Sequence, residues 1–292
     1  MQQNQASALV RVLVYEGGRV DDPRDPGGRT NRGVTQRVYN AFRRRKGLAN
    51  RDVYLITGGE VAEVYEGQYW DKIRGDELPG GVDLVVFDGA VNSGPVQAVK
   101  WLQRCLGVKA DGIVGAVTLQ GAREHPDHDR LIADICERRM IFLRALRTWA
   151  VFGRGWTSRV GNVRAAGQAL ASGAGGPGPV FSAAGSAKAP IEAARSAPPK
   201  GVADALAGGG VVTTALTQIT DAVTPLADRL PAMAVVVTVL TAAGAFAVAG
   251  GVAYRLWAAR RQDELVDALD LPVVAAPVPA ATAAAEAPGM PA

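Results

Sequence analysis

The chain has 292 residues, enough for one to three domains, and its hydrophobic content of 48% means that at least part of it can bury a core. A formal net charge of +4 suits an anionic partner such as a cell wall, a membrane surface or a nucleic acid, but it also fits simple solubility. With two cysteines, two histidines and no Cys-x-x-Cys pair, the sequence excludes a structural zinc site, which needs about four closely spaced ligands.

Most of the first 167 residues show helical periodicity. In "SALVRVLVYEG", Leu9, Val12 and Leu13 share one helix face, and the glycine after Glu16 provides a stop. The glycine-rich stretch that follows Glu16 can hold a small β-hairpin, and sustained strand alternation is absent elsewhere. Further helices are predicted over 32–47, 58–73, 82–94, 95–107 and 129–152, with one more beginning near Ala116.

The composition changes after residue 167. Residues 168–229 are rich in Gly, Ala, Ser and Pro and predict a flexible, disordered linker, because such a stretch buries too little apolar surface to offset the entropy of ordering. Residues 230–254 carry no charge and exceed the roughly 20 apolar residues that a transmembrane helix needs. The alternative, a buried core helix, lacks a neighbouring domain to cover it. Residues 255–292 are predicted to be a mostly disordered tail beyond a short polar helix.

The stretch around Glu16 contains the groups that glycosidic cleavage requires. One protonated carboxylic acid must donate to the leaving oxygen, and a second group must hold a water or stabilise the developing positive charge. Glu16 follows an apolar run at a helix end, and Asp25 and Thr30 follow within a segment whose glycines allow the chain to fold back. From the residues alone, the alternative is a solvated glutamate beside an ordinary turn-rich loop.

These residues carry a resemblance. "YEGGRVDDPRDPGGRTNRGVT", residues 15–35, resembles the opening signature of glycoside hydrolase family 108, a family of phage and bacterial peptidoglycan muramidases, some of them known as secretion-activating proteins. "YEGQYWDKI" at 65–73 and "DGAVNSG" at 88–94 are also similar to family segments. The resemblance implies a lysozyme-like helical domain with Glu16 as the catalytic acid and with Asp25 and Thr30 holding the attacking water.

A second resemblance covers residues 95–164. "AVKWLQRCLGVKADGIVGAVTL" and "FGRGWTSRVGNV" are similar to a peptidoglycan-binding module that is often fused to that family. We therefore predict a catalytic domain over 1–94 and a peptidoglycan-binding helical module over 95–167. Tyr69 and Trp70 are candidates for stacking on sugar rings, although core packing is the alternative for one of them. Asn92 is a further candidate substrate-binding residue.

Together these features predict a mainly α protein: the lysozyme-like domain with its hairpin, the helical module, the disordered linker and a single transmembrane helix. The predicted function is that of a phage-type endolysin, a lysozyme-type glycoside hydrolase that cleaves the β-1,4 bond between N-acetylmuramic acid and N-acetylglucosamine. We predict no metal, no organic cofactor and no nucleic-acid partner. The alternatives are a membrane-anchored protein that binds the cell wall or assists secretion, and a lytic transglycosylase.

The predicted location is the bacterial inner membrane, with peptidoglycan and the membrane, through 230–254, as partners. Arg255, Arg260 and Arg261 follow the span, so the positive-inside rule places the C-terminus in the cytoplasm and the catalytic domain in the periplasm. The alternative topology is a tail-anchored enzyme that faces the cytoplasm until a holin, a candidate partner, frees it.

Overall fold

The protein is mainly helical with one small sheet, which confirms this part of the predicted fold class. The computed structural model describes residues 2–20, 29–178, 183–199, 218 and 231–270. A single-turn π-helix over Glu66–Trp70 and short 3-10 turns supplement the α-helices. The α-helices of the described residues are α1 (Gln2–Leu13), α2 (Gln36–Arg45), α3 (Gly58–Tyr65), α4 (Val82–Ser93), α5 (Pro95–Cys105), α6 (Ala116–Glu124), α7 (His128–Arg144), α8 (Trp149–Ala171) and α9 (Pro231–Ala268).

A small antiparallel sheet follows α1, where the sequence predicted a hairpin. Its strands are β1 (Arg19–Val20), β2 (Thr30–Asn31) and β3 (Val34–Thr35), in the order β1-β2-β3. Arg32 and Gly33 connect β2 to β3 with φ angles of 51° and 73°. Two consecutive positive φ values are those of a type I′ turn, which matches the twist of a hairpin. The sheet therefore places this tight turn at a fixed position beside the helical core.

Helix α4 is the centre of the molecule. Every residue from Val82 to Ser93 is buried, including Asp83 and Asp88, and α1, α5, α7 and α8 pack around it. The hydrophobic core extends from Ala8 through α8 without interruption at residue 94. One core consequently spans residues 1–94 and 95–167, and the second of these segments contributes helices that pack around α4.

The chain between α7 and α8 differs from the prediction of one helix over 129–152. Helix α7 ends at Arg144, and α8 begins at Trp149. In the intervening residues, Leu146 forms a β-bridge with Ala194. The helix is interrupted because these backbone groups bond to a later segment instead of continuing the helical ladder.

That later segment belongs to the predicted linker, and its described part is ordered. Helix α8 extends through Ala171, and residues 183–195, which we call the strap, lie against α8 and the α7–α8 connection. The strap is poor in large apolar residues, which led us to predict disorder. It docks because Ala189 is fully buried and because its backbone groups find hydrogen-bond partners on the domain.

Helix α9 reaches back to the domain at its C-terminal end. Leu265 and Leu269 are buried in the common core, and Asp267 pairs with Arg138 of α7. The carboxyl group of Asp270 accepts a hydrogen bond from the side chain of Gln97. The tail from 271 onward lies outside the described residues.

The transmembrane helix that we predicted over 230–254 is not confirmed. Within the described ranges, no helix has both the length and the apolar character required to cross a membrane.

Candidate active site

Glu16 lies directly after the C-terminal end of α1. The backbone amides of Tyr15 and Glu16 bond to the carbonyls of Val12 and Leu13, which continues the helical turn to this point. Gly17 then adopts a φ of 70°, a conformation that lets the chain leave the helix axis. Glu16 is thus held by a rigid element, and its side chain is only 2% exposed.

Arg159 of α8 holds one oxygen of this carboxylate. Its Nη1 and Nη2 atoms both donate to Glu16 Oε1, each at 3.2 Å. The guanidinium is fully buried and lies 4.9 Å from the centre of the Tyr15 ring, close enough for a cation–π interaction. Glu16 is therefore oriented by a residue 143 positions later in the sequence.

Asp88 of α4 fixes Arg159 in turn. Arg159 Nε donates to Asp88 Oδ1 at 2.9 Å, and Arg139 Nη1 donates to Oδ2 at 2.6 Å. Burial alone would raise the pKa of Asp88, but the two guanidinium groups outweigh it and hold that pKa below its ordinary value. With Glu16, the network contains two carboxylates and two guanidinium groups, so its formal charges balance.

The Oε2 side of Glu16 is bounded by the hairpin turn and by two tyrosines. A Cβ atom on Gly33 would lie 2.8 Å from Glu16 Oε2 and 2.2 Å from the Tyr65 hydroxyl, so only glycine fits here. The Tyr65 hydroxyl donates to the Arg32 carbonyl at 3.0 Å. Burial, followed by the charge of Glu16, raises the pKa of Tyr65 well above its ordinary value and that of Tyr69 to about 12. Both phenols thus stay protonated at neutral pH.

Lys188 of the strap contacts the second oxygen of Glu16. Its ammonium group donates to Glu16 Oε2 at 2.5 Å and to the Val91 carbonyl at 2.8 Å. Both carboxylate oxygens of Glu16 are consequently bound by cations. The side chain of Lys188 remains 41% exposed, so the lysine covers the site from the solvent side.

The structure describes all of the predicted site residues except Asp25. Asp25 lies outside the described residues, and Thr30 lies in β2 opposite Val20 and Thr35. Their predicted roles stay predictions. Tyr69 packs against Tyr65 with ring centres 5.5 Å apart.

Trp70 and Asn92 are both buried. Trp70 meets the ring of Phe87 edge-on at 5.2 Å, which places it in the core. The amide of Asn92 accepts from Arg139 and donates to the Ala187 carbonyl, so in this state it holds the strap. Substrate binding by these two residues also stays a prediction.

Sequence reasoning missed Asp88, Arg159, Tyr65 and Lys188 as functional residues. Asp88 interrupts the apolar run "VDLVVFDGAV", and a charge inside such a run indicates a buried partner. That signal does not identify Arg159, and nothing in the composition of the strap distinguishes Lys188. Within the described ranges, no group of three or more His, Cys, Asp or Glu residues could hold a metal ion.

Comparisons with known proteins identify the family of this chain. The family model described as glycosyl hydrolase 108 matches residues 9–94, and one described as a predicted peptidoglycan domain matches residues 97–161. The solved structure of Brucella abortus SagA is 40% identical, with a TM-score of 0.51, over 59% of this chain and 97% of SagA. This chain belongs to glycosyl hydrolase family 108. No curated protein matches it.

Membership in family 108 makes the protein a glycoside hydrolase that acts on peptidoglycan. Glu16, Asp88 and the Gly33 turn lie within the range of the glycosyl hydrolase model, and Arg159 lies within that of the peptidoglycan domain. The two matched ranges therefore meet at the Glu16 carboxylate. Both ranges end before Lys188, so the strap is an addition to the part of the chain that the family models describe.

Proposed function

We propose that this protein is a peptidoglycan N-acetylmuramidase that hydrolyses the β-1,4 bond between N-acetylmuramic acid and N-acetylglucosamine, with Glu16 as the general acid. The observation that carries the proposal is the fixed position of the Glu16 carboxylate. Arg159 anchors one of its oxygens from within the core, while the other oxygen points toward the side bounded by Gly33 and the strap. A proton donor must present one oxygen to the glycosidic oxygen while its own orientation is held.

Arg159 can orient Glu16 without acting on it as an isolated cation. Its Nε and Nη2 atoms both contact Asp88, so its positive charge is shared with a second carboxylate. Arg159 therefore offers Glu16 hydrogen bonds from a guanidinium whose charge Asp88 offsets in part. Such pairing keeps the acid in place, and Oε2 is the oxygen that transfers the proton once its contact with Lys188 is broken.

For the water that completes hydrolysis, we propose Asp25 as the carboxylate that positions it, with Thr30 assisting. The proposal rests on their position in the segment between Glu16 and the Gly33 turn. If they hold water on the face of the sugar opposite Glu16, the anomeric centre inverts. The two neutral phenols of Tyr65 and Tyr69 supply uncharged hydrogen-bonding groups near the acid. Lysis of the bacterial wall, with action in the periplasm, is the role that we propose for this activity.

The direct test is Glu16→Gln, which keeps the size of the side chain and removes the acid. We expect turbidity loss of cell-wall suspensions to slow by about 10²- to 10⁴-fold, the usual contribution of general acid–base catalysis. Glu66→Gln is the matched control, because Glu66 is an exposed glutamate in the π-helical turn. Circular dichroism should show that both variants are folded.

Clearing at the wild-type rate by Glu16→Gln would contradict the assignment of the acid. Mass spectrometry of the products separates the possible reactions. Reducing muramic ends identify a hydrolase, whereas 1,6-anhydromuramic ends would identify a lytic transglycosylase. Binding to sacculi without products would identify a wall-binding protein.

A further inference from the structure

We propose that the strap is an autoinhibitory element: it keeps the site inactive by placing Lys188 on Glu16, and docking of the strap and binding of glycan exclude each other. This inference rests on the proposed function, because it concerns the regulation of the same site.

The position of Lys188 is incompatible with catalysis by Glu16. Arg159 binds Oε1 and Lys188 binds Oε2, so neither oxygen is available to a glycosidic oxygen. Lys188 is also a cation and cannot act as the base that activates water in this reaction. The site therefore has to lose this contact before Glu16 can donate a proton.

The backbone of the strap occupies groups that an N-acetylated sugar would use. The Ala187 carbonyl accepts from Asn92 Nδ2 and from Trp156 Nε1, both at 2.8 Å. The Ala189 amide donates to the Asn92 carbonyl at 2.9 Å. An acetamido group likewise offers one carbonyl acceptor and one N–H donor. A peptidoglycan sugar can therefore replace the strap without leaving these polar groups unsatisfied.

The charges also favour a removable strap. Without Lys188, an ionised Glu16 and Asp88 still balance Arg159 and Arg139, so release leaves no excess charge in this buried network before Glu16 takes up the proton that it donates. Docking, by contrast, desolvates the ammonium group. Burial lowers the pKa of Lys188, and the nearby carboxylate of Glu16 opposes that shift.

The strap lies beyond the part of the chain that both family models match. About three fifths of this chain suffices to cover 97% of SagA, so the related fold is complete over that portion. Anchors at both sides of Lys188 nevertheless keep the strap across the site: Arg159 Nη1 donates to the Gly185 carbonyl, and the Arg195 amide donates to the Ala145 carbonyl, each at 3.1 Å. These contacts hold the strap over Glu16, and because they are noncovalent the strap can dissociate.

The first test is Lys188→Met in the full chain. Methionine keeps most of the length of the side chain but cannot pair with Glu16, so it should weaken docking of the strap. If the strap is docked in about 90–99% of wild-type molecules, the initial rate of reducing-end release from purified sacculi rises about 10- to 100-fold. Lys109→Met is the control with the same charge change, because Lys109 is 88% exposed. It should leave the rate unchanged.

A second variant removes the strap without altering Lys188. Ala189 is fully buried, so Ala189→Glu should expel the strap and raise the rate as Lys188→Met does. Equal rates for wild type and both variants, with Glu16 still required, would overturn the autoinhibition proposal alone. Absence of reducing ends from wild type and from both variants would overturn the proposed function and this inference together.

Hydrogen exchange gives a readout that does not depend on turnover. Adding a soluble GlcNAc–MurNAc tetrasaccharide to the full-length wild-type chain, with exchange times too short for turnover, should speed exchange of the strap amides, including those of Ala189 and Arg195. Unchanged protection of the strap at saturating tetrasaccharide would contradict mutual exclusion. Rate gains in Lys188→Met and Ala189→Glu, together with faster exchange, support it.

Discussion

Replacing Asp88 by Asn tests the buried network that positions Glu16. Asparagine keeps the shape of the side chain and removes the charge that Arg139 and Arg159 share. All three side chains are at most 2% exposed. Removing one partner of such a buried pair leaves an uncompensated charge and costs about 3–5 kcal/mol. Surface pairs contribute about 0–1 kcal/mol, so Asp134→Asn, which breaks an exposed pair with Arg130, is the matched control.

Urea denaturation at pH 7, followed by tryptophan fluorescence, measures the loss of the free energy of unfolding. Because the pKa of Asp88 is lowered in the folded state, its stabilisation is complete above the ordinary aspartate value of about 3.9. It is lost as the pH falls through the lower folded pKa. The difference between wild type and Asp88→Asn should therefore stay constant from about pH 7 to about pH 5 and shrink only in stronger acid. A loss below about 1 kcal/mol, like that of the control, would refute this reasoning.

Two further predictions concern the hairpin turn and the start of α4. Gly33→Ala should lower the free energy of unfolding by about 1–3 kcal/mol and abolish activity, because its Cβ would collide with the Tyr65 hydroxyl and with Glu16. Gly59→Ala is the control, because a Cβ at Gly59 has open space. An active Gly33→Ala enzyme would contradict the geometry. Burial raises the pKa of Asp83 to about 6, so the folded protein loses stability as the pH rises through about 4–6, by at most about 3 kcal/mol. Asp83→Asn should therefore melt at a higher temperature than wild type at pH 7, and this difference in melting temperature should shrink near pH 4. Identical melting curves at pH 7 would contradict the destabilisation that we assign to the ionised Asp83.

The local features of the fold were accessible from the sequence. The spacing of Leu9 and Val12 predicted the helix that carries Glu16, and the glycine-rich stretch predicted the hairpin. These features depend on contacts between near neighbours, which periodicity and turn residues report.

The partners of Glu16 were not accessible in the same way. Arg159 and Lys188 are separated from Glu16 by 143 and 172 positions, so no local pattern connects them. The docking of the strap also differs from what its composition predicts. Its composition predicts weak burial, yet Ala189, the Lys188–Glu16 pair and a few backbone hydrogen bonds together dock it on a preformed surface.

The measurement that tests the central claim most directly is a digestion of purified peptidoglycan in oxygen-18 water. The full-length chain carrying Lys188→Met is compared with the same chain carrying Glu16→Gln in addition, and the products are identified by mass spectrometry. We expect reducing N-acetylmuramic ends that contain one heavy oxygen, formed only when Glu16 is present. Anhydro ends without heavy oxygen, or equal product from both proteins, would contradict hydrolysis by Glu16.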